Sequence, residues 1–334
     1  MKTDIAVLAA GMLLTFLLTV LISRKLIPLL KSRHLGQPIL EIGPRWHKSK
    51  EGTPTMGGIA FITAAIVSSV LLSVFFGVKY GGESIVPFVL TLAYAVLCGM
   101  TGLIDDLAKL KKKQNEGLSA KQKFALQVLF AALYLAAMCL LCDLGSELKI
   151  PFSGGFSLNV GIAFYVIAML VLTGIDNSVN LTDGIDGLAS SVTLIVSVFY
   201  GAYALLKLPA GSPSLSMLAF VTVGATAGFL VYNFYPARVF MGDTGSLFLG
   251  ALMAGGAFIM KDPLIILIAG LVYVIEAASV ILQVGYFKLT HGKRLFKMAP
   301  IHHHFEKCGL NEISIVLLFS GAAAVFCAVA WLAL

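Results

Sequence analysis

The sequence predicts an all-α integral membrane protein with ten transmembrane helices and both termini extracytoplasmic. Three observations carry this. Of 334 residues, 58% are hydrophobic and only 12% are charged; mean hydropathy is +0.93; and the apolar residues fall into ten runs separated by polar breaks. A soluble domain could not keep so much apolar surface from water. Crossing the hydrocarbon takes about 20 apolar residues per helix, so ten crossings use roughly 200 and leave modest loops. Residues 1–334 read as one polytopic domain, with no room for a separate soluble one.

The runs place helices near 4–23, 55–76, 86–104, 123–142, 159–176, 187–206, 215–234, 245–260, 263–284 and 313–333. The first is expected to be retained, because its apolar stretch lacks a short h-region followed by a small-residue cleavage site. Four of the five cysteines (Cys98, Cys139, Cys142, Cys308 and Cys327) lie in apolar runs and read as small core residues, suggesting neither disulfides nor a zinc set. An even helix count puts both termini on one side. The loops after the first, third, seventh and ninth helices hold 19 of the 24 Lys and Arg, from Arg24, Lys25, Lys31, Arg33, Arg45 and Lys48 to Lys307. The positive-inside rule makes that face cytoplasmic and turns both termini outward.

Orientation accounts for the lysines, including Lys111 to Lys113, but not for the acids, which contribute little to topology. Eleven of 17 Asp and Glu share the same face, as do all six histidines, His34, His47, His291 and His302 to His304. Taken in chain order, the first loop brings Lys50 before Gly52-Thr-Pro-Thr55-Met-Gly-Gly58. The third helix ends in Asp105 and Asp106 behind Gly99 and Gly102, two adjacent carboxylates whose repulsion calls for a cation. A helix end meeting water is the plain alternative, although acids at a helix C-terminus oppose the macrodipole. Lys121 opens the fourth helix and is a phosphate-contact candidate.

Between the fifth and sixth helices, Asp176-Asn-Ser-Val-Asn180-Leu-Thr-Asp183-Gly-Ile-Asp186-Gly187 reads as one short polar loop. Thr182 or Asp183 could N-cap the sixth helix, which leaves the other acids unexplained. The segment lacks the glutamate of a calcium EF-hand loop. Before the eighth helix, Asn233-Phe-Tyr-Pro-Ala-Arg-Val-Phe240-Met-Gly-Asp243-Thr-Gly-Ser246 offers a carboxylate, hydroxyls and free backbone N–H groups, as magnesium and phosphates require, or else a simple N-cap at Asp243. In the ninth loop, Pro300-Ile-His302-His303-His304-Phe-Glu306 lies beside Lys293, Arg294 and Lys297, a cationic cluster suited to anionic oxygens. Three consecutive histidines cannot all face one ion on a helix. Glu276 stands within an apolar span, followed at i+3 and i+7 by Ser279 and Gln283, and an intramembrane carboxylate is functional or structurally paired.

Aspartates, histidines and lysines at one membrane face, with wide apolar flanks, describe magnesium-assisted phosphoryl transfer between a soluble nucleotide and a lipid.

At these motifs the chain resembles the polyprenyl-phosphate N-acetylhexosamine-1-phosphate transferases, and within them the phospho-N-acetylmuramoyl-pentapeptide branch, which the triple histidine favours. The resemblance rests on Gly52-Thr-Pro-Thr-Met-Gly-Gly58, Leu103-Ile-Asp-Asp106, Asn180-Leu-Thr-Asp-Gly-Ile-Asp-Gly187, Met241-Gly-Asp-Thr-Gly-Ser246 and Pro300-Ile-His-His-His-Phe-Glu306, in family order over almost the whole chain. It implies a bacterial cytoplasmic membrane enzyme of peptidoglycan biosynthesis, homodimeric and dependent on Mg2+. Its reaction would move phospho-N-acetylmuramoyl-pentapeptide from UDP to undecaprenyl phosphate, giving lipid I and UMP. Nucleic acid has no part in it. The resemblance also implies Asp243 as the metal ligand and catalytic residue, and Asp105 and Asp106 as the pair that handles the lipid phosphate, with Asp105 as a base. It places nucleotide and sugar contacts at Lys50, Thr55, Asn180, Asp183, Asp186, Asn233 and Phe240, and pyrophosphate contacts at Lys121, His302, His303 and His304.

Two rivals come from other classes. A secondary transporter would suit ten helices and Glu276, but it places ions near the midplane between related repeats, and no motif repeats between the halves here. A lipid scaffold would need the lysines but not clustered aspartates. A sister transferase using UDP-N-acetylglucosamine would share every motif except the histidine segment.

Overall fold

The computed structural model describes residues 2–32, 50, 52–112, 117–208 and 212–334. Arg33, His34, Arg45, His47, Lys48 and Lys113 lie outside the described residues. Among the described residues twelve α-helices are formed: α1 (Lys2–Ser32), α2 (Gly58–Tyr80), α3 (Val86–Lys112), α4 (Ala120–Cys142), α5 (Ala163–Thr182), α6 (Leu188–Leu206), α7 (Pro213–Asn233), α8 (Gly242–Ile259), α9 (Ile265–Ala269), α10 (Leu271–Leu289), α11 (Ile301–Lys307) and α12 (Glu312–Ala333). Ten of them are long and apolar enough to cross a membrane, matching the ten apolar runs.

The differences from the sequence reading lie at helix ends and change where the chemistry sits. Apolar runs mark the hydrocarbon, whereas a helix continues for as long as its backbone groups find partners. The first helix therefore runs on through Arg24, Lys25 and Lys31. The third continues two turns past residue 104, so Asp105 and Asp106 lie within it and not at its end. The fifth extends to Thr182, which puts Asp176, Asn177 and Asn180 on helix and leaves only Asp183–Gly187 as loop. The ninth run is broken at Gly270 into α9 and α10, and the loop after it folds into the short α11. Between α4 and α5 a small hairpin that the all-α reading omitted pairs β1 (Glu147–Lys149) with antiparallel β2 (Ser157–Asn159), Leu148 opposite Leu158.

The bundle is organised around α8. Its most apolar stretch is 89% buried, against 22% for α1 and α10, and it packs on α2, α3, α5, α6, α7 and α9. Such burial needs small side chains, because lipid supplies no hydrophobic drive between helices and close backbone approach must replace it. Gly58 of α2 faces Gly245 of α8, and Gly102 of α3 lies against the backbone of Asp243 and Thr244. Those contacts set the depth at which the first turn of α8 meets the end of α3.

Chain direction gathers the polar ends. The last turns of α3 and α5 and the first turns of α4, α8 and α12 meet at one end of the bundle. At the other end Lys79, in the last turn of α2, pairs with Asp4 in the first turn of α1, and the Phe152 N–H of the hairpin loop donates to Ala333 O at 3.3 Å. Both termini thus lie opposite the polar end.

Gly102→Ala drives a methyl group into the Asp243 carbonyl, where backbone cannot yield, and overpacking of this kind costs about 1–3 kcal/mol. It is expected to lower the thermal unfolding midpoint in detergent. Gly174→Ala is the control: nothing lies near its added carbon, so the midpoint should hold or rise.

Candidate active site

The site is built from the amino end of α8. The first N–H groups of any helix lack intrahelical acceptors and carry partial positive charge. No side chain of α8 itself caps them. The acceptor comes from α3: Asp106 takes the Thr244 N–H at 3.0 Å, the Thr244 hydroxyl at 2.7 Å and the Asp243 N–H at 3.3 Å. Asp106 is 1% exposed. Gly242, at φ +70, and the Thr55 hydroxyl close the same corner, and that buried Oγ1 has no hydrogen-bond partner among the described residues.

With its helix end satisfied by Asp106, the Asp243 carboxylate is not an N-cap and is free to face the site. Its Oδ2 lies 3.0 Å from Lys109 Nζ and 2.9 Å from Lys123 Nζ, and its Oδ1 accepts from Asn180 Nδ2 at 2.9 Å. Asn180 is itself held by Ser246 at 2.7 Å. Asp105, one turn before Lys109, takes that ammonium at 2.7 Å and the Leu118 N–H at 2.7 Å. One carboxylate oxygen from each of Asp105, Asp106 and Asp243 lies within 4.8 Å of the others. This all-oxygen donor set fits a hard divalent cation such as magnesium.

A second cluster adjoins it. Lys50 Nζ sits 2.7 Å from both Asp186 Oδ1 and Glu312 Oε2, while Asp186 Oδ2 accepts the Ala237 N–H at 2.8 Å and Glu312 accepts the Asp186 N–H at 3.1 Å. Burial opposes the charge on Lys50, but the two carboxylates outweigh it and hold its pKa above the ordinary lysine value. Between the clusters lies Asp183 at the carboxyl end of α5. Enclosure by protein raises its pKa well above the ordinary carboxylate range, reinforced by the charges of Asp243, Asp106 and Asp186.

The structure thus brings Lys50, Thr55, Asp105, Asp106, Asn180, Asp183, Asp186 and Asp243 to one end of the bundle. It places other expected contacts differently. Lys121 is exposed, and Lys123, two residues along α4, is the lysine that turns inward. Asn233 is buried with its amide engaged by the Val239 carbonyl at 3.0 Å and the Ser190 hydroxyl at 3.3 Å. Phe240 is half-buried, its backbone bonded to Pro54 and Gly57. The three histidines take different polar partners, although the ring centroids of His302 and His303 lie 4.1 Å apart: His302 meets Glu276 at 3.0 Å, His303 meets Glu306 at 2.5 Å, and His304 accepts the Lys297 N–H at 3.1 Å.

In the sequence Lys109 and Lys123 are indistinguishable from lysines that serve orientation, and Glu312 belongs to none of the motifs. An available signal was the i, i+4 spacing of Asp105 and Lys109, which becomes meaningful once α3 is extended. Below the site, Gln127 donates to Asp176 Oδ2 at 2.9 Å, so Glu276 is not alone among intramembrane acids; Asp176 is fully buried in α5.

Ten membrane-length helices closing on a carboxylate and lysine centre at one end define a polytopic membrane protein equipped for phosphate chemistry. The glycosyl transferase family 4 profile matches residues 87–261, and the phospho-N-acetylmuramoyl-pentapeptide-transferase signature 1 matches residues 50–62. Proteins named phospho-N-acetylmuramoyl-pentapeptide-transferase align over nearly full length. That of Clostridium acetobutylicum is 43% identical over 98% of this chain and 99% of its own; that of Clostridioides difficile is 44% identical over 96% and 95%. One from Clostridium perfringens is 42% identical over 97% and 96%. The chain belongs to glycosyl transferase family 4 and, within it, to the phospho-N-acetylmuramoyl-pentapeptide-transferases.

Removing the α8 anchor should be felt in stability as well as turnover. Asp106→Ala leaves buried N–H groups without an acceptor, at about 1–3 kcal/mol each, and is expected to lower the unfolding midpoint by more than Asp243→Ala does. Thermal unfolding of both variants in detergent checks the order.

Proposed function

We propose that this protein transfers phospho-N-acetylmuramoyl-pentapeptide from its UDP carrier to undecaprenyl phosphate, releasing UMP and forming lipid I in peptidoglycan biosynthesis. The observation that carries the reading is the convergence of Asp105, Asp106 and Asp243 with Lys109 and Lys123 at one end of a membrane bundle. Full-length similarity to enzymes of that name supports it. The positive-inside count supports a cytoplasmic site in a bacterial cytoplasmic membrane, with both termini outside, and the resemblance supports a homodimer.

In this reading Asp243 and Asp105 would hold magnesium, with Asp106 shared between the ion and α8. Bound magnesium would supply screening of the pyrophosphate charge and polarisation of the bond to the departing UMP. Lys109 and Lys123, already against Asp243, lower the repulsion between two anionic substrates. A lipid-phosphate oxygen attacks the sugar-bearing phosphorus, a new P–O bond forms, and the bond to the uridylyl phosphate breaks with its electron pair leaving on UMP. Asp105 takes any proton still on the lipid phosphate. Direct attack suffices, because a phosphate monoester is largely ionised near neutral pH and needs positioning more than activation. Lys50, Asp183 and Asp186 face the nucleotide, and the apolar flanks admit the lipid.

Asp243→Asn and Asp105→Asn are each expected to abolish transfer in protein that still inserts and folds. The decisive assay supplies magnesium, undecaprenyl phosphate and either UDP-N-acetylmuramoyl-pentapeptide or UDP-N-acetylglucosamine, and measures UMP. Release with the first alone is expected. Release with the second alone would assign the sister transferase, and uptake into liposomes without UMP release would assign a transporter. Direct attack further predicts no phospho-sugar adduct on the protein when the nucleotide substrate is given without lipid; mass spectrometry reads this.

A further inference from the structure

Glu276 lies in an apolar stretch of α10, and one contact accounts for it. The side chains of Glu276 and His302 are both fully buried, with Oε2 3.0 Å from Nδ1. Their other polar atoms, Glu276 Oε1 and His302 Nε2, have no hydrogen-bond partner among the described residues. Burying two such groups half-satisfied is unfavourable, and an apolar pair would hold α10 to α11 as well. The arrangement therefore calls for a role beyond packing.

The free edge of the imidazole supplies one. A methyl group built on Gly184 would lie 2.1 Å from His302 Nε2 and 2.6 Å from Cε1, far inside contact distance. The ring thus rests directly on the backbone of the Asp183–Gly187 loop, between Asp183 and Asp186. Residue 184 must be glycine for the ring to reach that far, although its backbone φ is ordinary. His303 and His304 have other partners and do not share this contact.

We propose that Glu276 is a positioning residue for the nucleotide end of the site. Its carboxylate accepts the Nδ1–H of His302, and the ring so oriented is the wall against which the Asp183–Gly187 loop is set. The proposal rests on the transferase reading for what the loop does, but the loop's order can be read without the reaction. A carboxylate acceptor fixes the tautomer and ring direction of a histidine, and loss of such an acceptor releases both.

The test uses the full-length protein in detergent with two readouts, KM for each substrate in UMP release and hydrogen exchange over residues 183–187. Glu276→Gln keeps an acceptor oxygen and should stay within about threefold of the unsubstituted protein in both. Glu276→Leu removes it. That variant should raise KM for the nucleotide substrate by about 10- to 100-fold with KM for the lipid unchanged, in keeping with the effect of a small misplacement of a binding group, and should speed exchange in the loop. Gly184→Ala should do the same. His302→Asn keeps a donor near the Nδ1 position and vacates the space of Nε2, so the double variant Gly184→Ala/His302→Asn should recover part of what Gly184→Ala loses. Glu276→Gln as defective as Glu276→Leu, a tolerated Gly184→Ala, or unchanged loop exchange in Glu276→Leu would each overturn the proposal. If the unsubstituted protein releases no UMP, the transferase reading fails by itself, and exchange still decides the role of Glu276.

Discussion

The carboxylate of Asp106 on the amino end of α8 is the contact on which the rest of the site depends. A central helix buried on nearly all sides cannot have its first N–H groups satisfied by water, and α8 brings no cap of its own. Asp106 satisfies them from α3, and Gly102 lets the two helices approach closely enough for it to do so. The registration places Asp243, the first acid of α8, where its side chain meets Lys109, Lys123 and Asn180. Anchor and reactive centre are one piece of structure. Adjacent residues of α3 divide the work, with Asp106 turned toward the helix end and Asp105 toward Lys109.

Charge balance follows from that geometry. Three carboxylates face two ammonium groups, an excess of negative charge at a membrane boundary where water screens poorly. Such an arrangement favours a further cation, and the hardness of the oxygen donors selects among cations. Lys50 shows the same imbalance with Asp186 and Glu312, tying the last helix to the α5–α6 loop. The two clusters flank Asp183, whose pKa is raised first by its enclosure in protein and then by the charges of Asp243, Asp106 and Asp186.

Much of this was legible in the residues. Ten apolar runs became ten membrane-length helices, and the aspartates singled out by their failure to serve topology do converge. Helix ends were misread for one reason: hydropathy marks where lipid stops, not where hydrogen bonding stops. The helix continues through Asp105 and Asp106 to Lys112, and through Asp176 and Asn180 to Thr182, because partners on other segments override the low helix propensity of Asp and Asn. The inward lysine could not be told from the outward one for a similar reason. Lys121 and Lys123 differ by two positions, a rotation of about 200° on a helix, so the exact phase of α4 decides between them.

What the sequence by itself determined is the class of molecule, the helix count and the set of residues able to do phosphate chemistry, because composition and periodicity act locally and additively. Only the tertiary structure decided their division of labour. Asp106 anchors a helix while Asp243 faces the site, Asn233 is engaged in packing, and His302 turns from the cluster of histidines to a buried glutamate on another helix. Each of those assignments depends on which polar group from a distant segment arrives first at an unsatisfied partner, and that is set by helix packing, not by neighbours in the chain.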